Sequence, residues 1–418
     1  MSRALAIVTL ARCRLLAIVA SAAVVASLAG CGGGGGGGGN NSGGGGGTTP
    51  PPVNNTQPIT VDAGPVGISN ILFTSVTICA PGASTNCQTI DHIQVDTGST
   101  GLRIISSVLS PALGLRQEVD ASGNPIVECA QFVDGFSWGP IKIGDVHLAG
   151  EVASSVPIQV IGDPAFTSIP TACSSVGPPE NTVDTFGANG VLGISFSVQD
   201  CGAACVSSTF PGVYYICPAA ASCQAARVTL AQQAQHPVAM FATDNNGVLI
   251  TMPAIPATGQ ASATGSMIFG IGTQSNNGTS GVTVIAVDPG TGNITTVFNN
   301  HSYSTSYIDS GSNGLFFGAG IYPVCSSPND GFYCPATTQS LSATIRGTNG
   351  VSANVNFSVA NTDTLTMNPN FYAFNDLSGE GPDTTTFAWG LPFFYGRTVF
   401  TAIEGMTTPA GTGPFNAF

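Results

Sequence analysis

Only 7% of the 418 residues are charged, and 22 acidic side chains stand against 9 basic ones. An acidic chain without a basic patch excludes nucleic-acid binding through phosphate contacts and disfavours electrostatic adhesion to anionic lipid. The length is sufficient for two lobes with cores of their own.

Residues 1–31 read as an export leader. Arg3, Arg12 and Arg14 make a basic start, and Leu15 to Leu28 form an apolar core too short for a membrane span. Leu28-Ala29-Gly30-Cys31 then resembles the lipobox of bacterial lipoproteins, in which the cysteine is lipidated and becomes the first mature residue. Without the three leader arginines the mature chain keeps six basic residues against all 22 acidic ones, a formal charge of −16. Residues 32–57 are dominated by Gly, Asn, Ser, Thr and Pro, which cannot bury a core, and read as a tether reaching roughly 25–30 Å. The body divides into a first lobe, 58–245, and a second, 246–418.

The remaining elements read as all-β. Strands are predicted over Ile68–Ile78, Ile141–Leu148, Val156–Ile161, Met267–Gly270, Val282–Val287 and Val351–Val359, with turn residues at short intervals. Thr229–Gln235 and part of Ser326–Cys334 read as short helices or loops. Beyond Cys13 and Cys31, ten cysteines remain, an even number that in an exported chain points to disulfides. Neighbours would pair as Cys79 with Cys87, Cys201 with Cys205, Cys217 with Cys223 and Cys325 with Cys334, leaving Cys129 to Cys173. Spacing does not fix this connectivity, and Cys201, Cys205, Cys217 and Cys223 as a zinc cluster is the alternative.

The chemistry concentrates in two matching stretches, Val95-Asp96-Thr97-Gly98-Ser99-Thr100-Gly101-Leu102 and Ile308-Asp309-Ser310-Gly311-Ser312-Asn313-Gly314-Leu315, 213 positions apart. One such stretch would be an ordinary turn. Two in matching apolar frames suggest carboxylates brought face to face, which cannot both ionise comfortably and so share a proton. One then serves as general base on water and the other as acid. Gly135-Phe136-Ser137-Trp138-Gly139 fits the G-x-S-x-G nucleophile elbow, but Pro140-Ile141-Lys142-Ile143 alternates like a strand where that motif needs a helix.

The order of motifs resembles the pepsin-like aspartic peptidases over most of 68–403. Asn70–Ile78 closing on Pro81-Gly82 resembles that family's opening hairpin, and Gly190-Val191-Leu192-Gly193 the apolar element behind the first active loop. Gly265–Gly270 resembles the strand into the second lobe, and Trp389–Phe394 with Thr398-Val399-Phe400 the closing segment. The leader adds a resemblance to bacterial families of exported lipoproteins. The likeness implies a bilobal fold with a cleft, catalytic Asp96 and Asp309, and no metal or cofactor. It also implies that Thr97 and Ser310 lock the two loops, that Gly98 and Gly311 allow their close approach, and that Ser99 and Ser312 bond the outer carboxylate oxygens. The family's flap tyrosine is missing: Phe132 holds the matching place in Phe132-Val133-Asp134-Gly135, Arg103 stands where a supporting Trp belongs, and Trp138 is the candidate substitute.

These readings lead to an exported aspartic endopeptidase, monomeric and lipid-anchored in the cell envelope, acting on peptide or protein substrates. The alternative is a non-catalytic module of the same fold that binds peptides or cell-envelope material. For the anchor, Cys31→Ser should release the protein from the membrane fraction or stall its processing. Unchanged membrane association would rule lipidation out.

Overall fold

The computed structural model describes residues 54–210 and 212–418. The leader, Cys31 and tether residues 32–53 lie outside the described residues. The tether was expected to run to residue 57, but Thr56 and Gln57 already belong to a strand, Thr56–Val61, and pair with Ile268 and Met267. Ile59 and Val61 are buried. Ladder bonds come from backbone groups, so pairing runs past the apolar residues into their polar neighbours.

The first lobe is a closed six-stranded barrel. Leu72–Cys79 pairs with Cys87–Asp96, which runs parallel to Gly190–Ile194. That short strand pairs antiparallel with Thr100–Ile105, which runs parallel to Glu151–Ile161. Phe136–Leu148 follows and returns to Leu72–Cys79, with Ile78 opposite Val146. Closure removes free sheet edges. The Gly-Val-Leu-Gly element does cross behind the first Asp loop, with Val95 opposite Leu192.

The second lobe repeats the central part of this pattern in an open seven-stranded sheet. His301–Ile308 runs parallel to Phe387–Trp389, which pairs antiparallel with Leu315–Phe317, which runs parallel to Ser378–Glu380. Each Asp loop thus joins two strands that flank one short crossing strand. The sheet continues into the hairpin of Gln339–Arg346 and Ser352–Val359.

A base sheet joins the lobes: Thr56–Val61, Ala263–Phe269, Gly247–Thr251, Thr398–Ala402, Phe415–Ala417 and Val284–Ala286, in that order. One apolar core runs from Leu72 and Val95 through Met267 to Ile308 and Trp389. The architecture is all-β and bilobal, as a pepsin-like fold requires. Thr229–Gln235 contains a single short helical turn, Leu230–Gln232. The strand expected over Val282–Val287 is confined to Val284–Ala286.

All ten mature cysteines are paired, as Cys79–Cys87, Cys129–Cys173, Cys201–Cys205, Cys217–Cys223 and Cys325–Cys334. The zinc alternative is thereby removed. Five disulfides fit an oxidising extracellular or periplasmic compartment. Among the described residues no helix is long and apolar enough to cross a membrane.

Thiol titration of the unfolded, unreduced mature protein should find no free cysteine. Cys129–Cys173 has the widest separation, 44 residues. Replacing both by Ala should lower the unfolding free energy by about 4 kcal/mol on the loop-entropy account, read by chemical denaturation.

Candidate active site

Both Asp loops leave a buried strand end, so each aspartate enters the interlobe region with its backbone already held. Asp309 N donates to Trp389 O at 2.9 Å. The hydroxyls of the two loops then cross. Thr97 N donates to Ser310 Oγ at 3.1 Å, and Ser310 N donates to Thr97 Oγ1 at 2.9 Å. Ser310 Oγ donates onward to Val95 O at 2.8 Å, and Thr97 Oγ1 to Ile308 O at 3.5 Å. Each loop therefore satisfies the backbone of the other, which a buried loop needs.

The crossing brings the carboxyls together. A methyl group on Gly98 would stand 2.9 Å from Asp309 Oδ1. One on Gly311 would run into Asp96 Oδ1 and stand 3.1 Å from Asp309 Oδ1. Only glycine leaves the two carboxyls room to meet, close enough to act as hydrogen-bond partners. Gly98 N donates to Asp96 Oδ1 and Gly311 N to Asp309 Oδ1, both at 2.7 Å.

The pair is asymmetric. Ser312 Oγ donates to Asp309 Oδ2 at 2.6 Å. In the first loop Ser99 stands beside the Asp96 carboxyl and lowers its pKa, though its Oγ makes no hydrogen bond of regular geometry. Burial raises Asp96, opposed by its partner carboxyl, Ser99 and Gly98 N–H. Burial and the Asp96 charge push Asp309 well above the usual carboxylate range. Two buried carboxyls this close cannot both ionise, and they share a proton.

A cleft of about 520 Å³ lies between the lobes, lined by Thr97, Gly98, Phe132, Val133, Asp288 and Tyr307 among others. Asp96 and Asp309 themselves have no exposed surface. The hairpin of Ile126–Gln131 and Phe136–Leu148 turns over residues 132–135, where Phe132 N donates to Gly135 O at 2.8 Å. Phe132 is buried and packs edge-on against Phe186, at 5.8 Å between ring centres. Val133, 43% exposed, carries the tip into the cleft. Trp138, the candidate substitute, is corrected to a core residue: its Nε1 donates to Phe166 O, and its ring packs on Tyr215. Ser137 lies within the same strand and donates to Gln159 Oε1, which removes the nucleophile elbow.

Sequence reasoning missed three supports. Gln94 Nε2 donates to Gly311 O at 3.0 Å, binding the strand before the first loop to the second loop. Asn70 donates to Asn313 O and Phe374 O and accepts from Phe374 N and the Tyr395 hydroxyl. The third surrounds Arg103, which replaces the supporting Trp. Its guanidinium is buried, donates to Glu128 Oε1 at 2.6 Å and Oε2 at 3.2 Å, and lies 3.5 Å from Asp200 Oδ2. Nη1 donates to Thr100 O at 2.8 Å. Burial and the Glu128 charge push Asp200 well above its usual range, and Tyr214 donates to it at 2.8 Å. The available signal was an arginine inside the apolar run Leu102–Ile105, since a buried cation requires a partner.

A family model described as "Protein of unknown function (DUF3443)" matches residues 51–418. A search of curated proteins finds no match. Among solved structures, the chain is similar to the aspartic proteinase from Irpex lacteus, at 16% identity over 87% of this chain and 96% of that one, with a TM-score of 0.48.

Replacing Arg103 by Met strands Glu128 in the interior. Chemical denaturation should show a loss of about 3–5 kcal/mol, mostly recovered in the Arg103→Met/Glu128→Leu double variant. A loss under about 1 kcal/mol would show that the pair does not hold the hairpin strand to the first loop.

Proposed function

This chain belongs to the family described as "Protein of unknown function (DUF3443)", and we propose that it is an exported, lipid-anchored aspartic endopeptidase. The observation that carries this reading is the carboxyl pair, crossed and locked by Thr97 and Ser310 beside an interlobe cleft.

In the proposed reaction Asp96 is ionised and Asp309 holds the proton. Asp96 takes a proton from a water molecule while the water oxygen attacks the peptide carbonyl carbon. Asp309 passes its proton to the carbonyl oxygen, giving a neutral tetrahedral gem-diol. On collapse Asp96 protonates the leaving nitrogen, and Asp309 recovers its proton from a diol hydroxyl. Both groups return to their starting states without metal or cofactor.

The second reading, a non-catalytic peptide-binding module, has its own support. Both carboxyls are fully covered, and Phe132 turns into the core instead of reaching over them. On the catalytic reading the cleft must open at the hairpin before substrate meets the pair.

The experiment is peptide-library cleavage by the mature protein from about pH 3 to 8. Activity needs one proton on the pair, whose two apparent pKa values belong to both residues. It should fall at low pH as the pair takes up its second proton, and fall again at higher pH as the pair gives up the shared one. Asp96→Asn and Asp309→Asn should each cost at least about a hundredfold. The double variant should cost little more than either single one, because the roles are complementary. Equal residual cleavage by wild type and Asp96→Asn would end the catalytic reading. Peptide binding without cleavage would then establish the module.

A further inference from the structure

A second cavity, of about 610 Å³, lies in the second lobe and shares no lining residue with the cleft. Its size is that of a small-molecule site. It opens between the hairpin of Gln339–Arg346 and Ser352–Val359 and the turn holding Asn375 and Asp376. The six-residue set that matters is Ser340, Ser342, Ser358, Asn375, Asp376 and Arg397.

Asp376 is 3% exposed, and its carboxyl has no hydrogen-bond or ion-pair partner in the protein. Asn375 Oδ1 is likewise buried and unpartnered. The Asp376 carboxyl thus opens on the cavity through a small accessible surface with no protein donor, while Asn375 Oδ1 is closed off behind it. Such a group costs stability unless a ligand or solvent supplies the missing bond. Tyr395, by contrast, is committed to Asn70, and the Trp389 indole N–H to Thr296.

The charges narrow the ligand. Asp376 and Arg397 are the only charged residues among the lining side chains. The Arg397 guanidinium sits 4.7 Å from the centre of the Phe393 ring and donates to Phe393 O at 2.6 Å. The cavity is therefore formally neutral, which selects against a strongly charged ligand. The open acceptor at Asp376 requires a donor, while the serine hydroxyls both give and accept. Phe357, only partly buried, adds an apolar surface.

We propose that this cavity binds a neutral polyhydroxylated ring, with one or two sugar residues as the fitting class. Hydroxyl groups of the ring donate to the Asp376 carboxylate, and the hairpin serines complete the rim. The site works independently of the carboxyl pair in the cleft.

Binding should depend on pH. Burial raises the Asp376 pKa to about 6. A hydroxyl donated to the carboxylate favours the ionised form and lowers that value in the complex. Affinity is then fully present above about pH 6 and weakens as pH falls below it, up to tenfold per unit. Arg397 and Tyr395, the other ionisable groups lining the cavity, keep their charge states across this range.

The test uses the full mature chain with saturation-transfer NMR and calorimetry. The probes are glucose, N-acetylglucosamine and their β-linked dimers, with lysine amide as a cationic control. At pH 7 at least one sugar should bind, and Asp376→Asn should weaken it at least tenfold. Wild-type affinity should drop on going from pH 7 to pH 5, and that of Asp376→Asn should not. Asp376→Asn is close to isosteric, so a thermal melt checks that its fold is intact. Ser342→Ala, on the hairpin rim, supplies a second variant. Asp96→Asn should bind sugar like wild type, which separates this site from the proposed peptidase activity. Binding of lysine amide in place of the sugars, sugar affinity unchanged by Asp376→Asn, or no sugar bound at all would each overturn the proposal.

Discussion

Everything in the cleft depends on two buried loops that cannot satisfy their own backbones. Thr97 and Ser310 resolve this by exchange: each hydroxyl accepts an N–H from the opposite loop and donates to a carbonyl beyond it. Since each half of the exchange requires the other, neither loop can shift alone. The Asp96–Asp309 pair is a consequence of that lock, because the glycines at 98 and 311 let the crossing loops approach until the carboxyls meet. Burial then makes the pair costly to ionise twice, and Ser312 bonds its carboxyl where Ser99 makes no bond of regular geometry.

Around this lock the two lobes solve the same problem differently. The first closes its sheet into a barrel and spends three ionisable side chains, Arg103, Glu128 and Asp200, on joining the first loop's exit strand to the hairpin. Such a buried set contributes less to net stability than its short distances suggest, since desolvation offsets most of the attraction. Its effect is to fix geometry: the hairpin is anchored at Glu128, four residues before Phe132. The second lobe leaves its sheet open, and the gap beside its outer hairpin becomes a cavity with an unmet acceptor at Asp376. Asn70 reaches across from the first lobe to brace the second loop at Asn313.

The sequence by itself determined what depends on local pattern. Two matching Asp-hydroxyl-Gly-Ser turns in apolar frames implied a facing pair, because only two such loops supply the glycines and hydroxyls that close approach needs. The even count of mature cysteines implied disulfides, and the fold supplied their connectivity. Period-two burial and frequent turn residues marked an all-β chain, to within a few residues at strand ends. Ladder pairing decided those ends, as at Thr56, where a nominal tether becomes a strand.

Tertiary structure alone decided the rest. Asn70 and Phe374 are 304 residues apart, and Arg103 finds Glu128 and Asp200 on two other segments. No local periodicity encodes such meetings. Whether Phe132 covers the carboxyls or packs on Phe186, and whether Trp138 reaches the cleft or Tyr215, turns on how neighbouring strands twist and stack. The cavity at Asp376 was equally invisible. A single aspartate between Asn375 and Leu377 reads as an exposed turn residue, and only the fold of the hairpin beside it narrows its exposure to a cavity without supplying a partner.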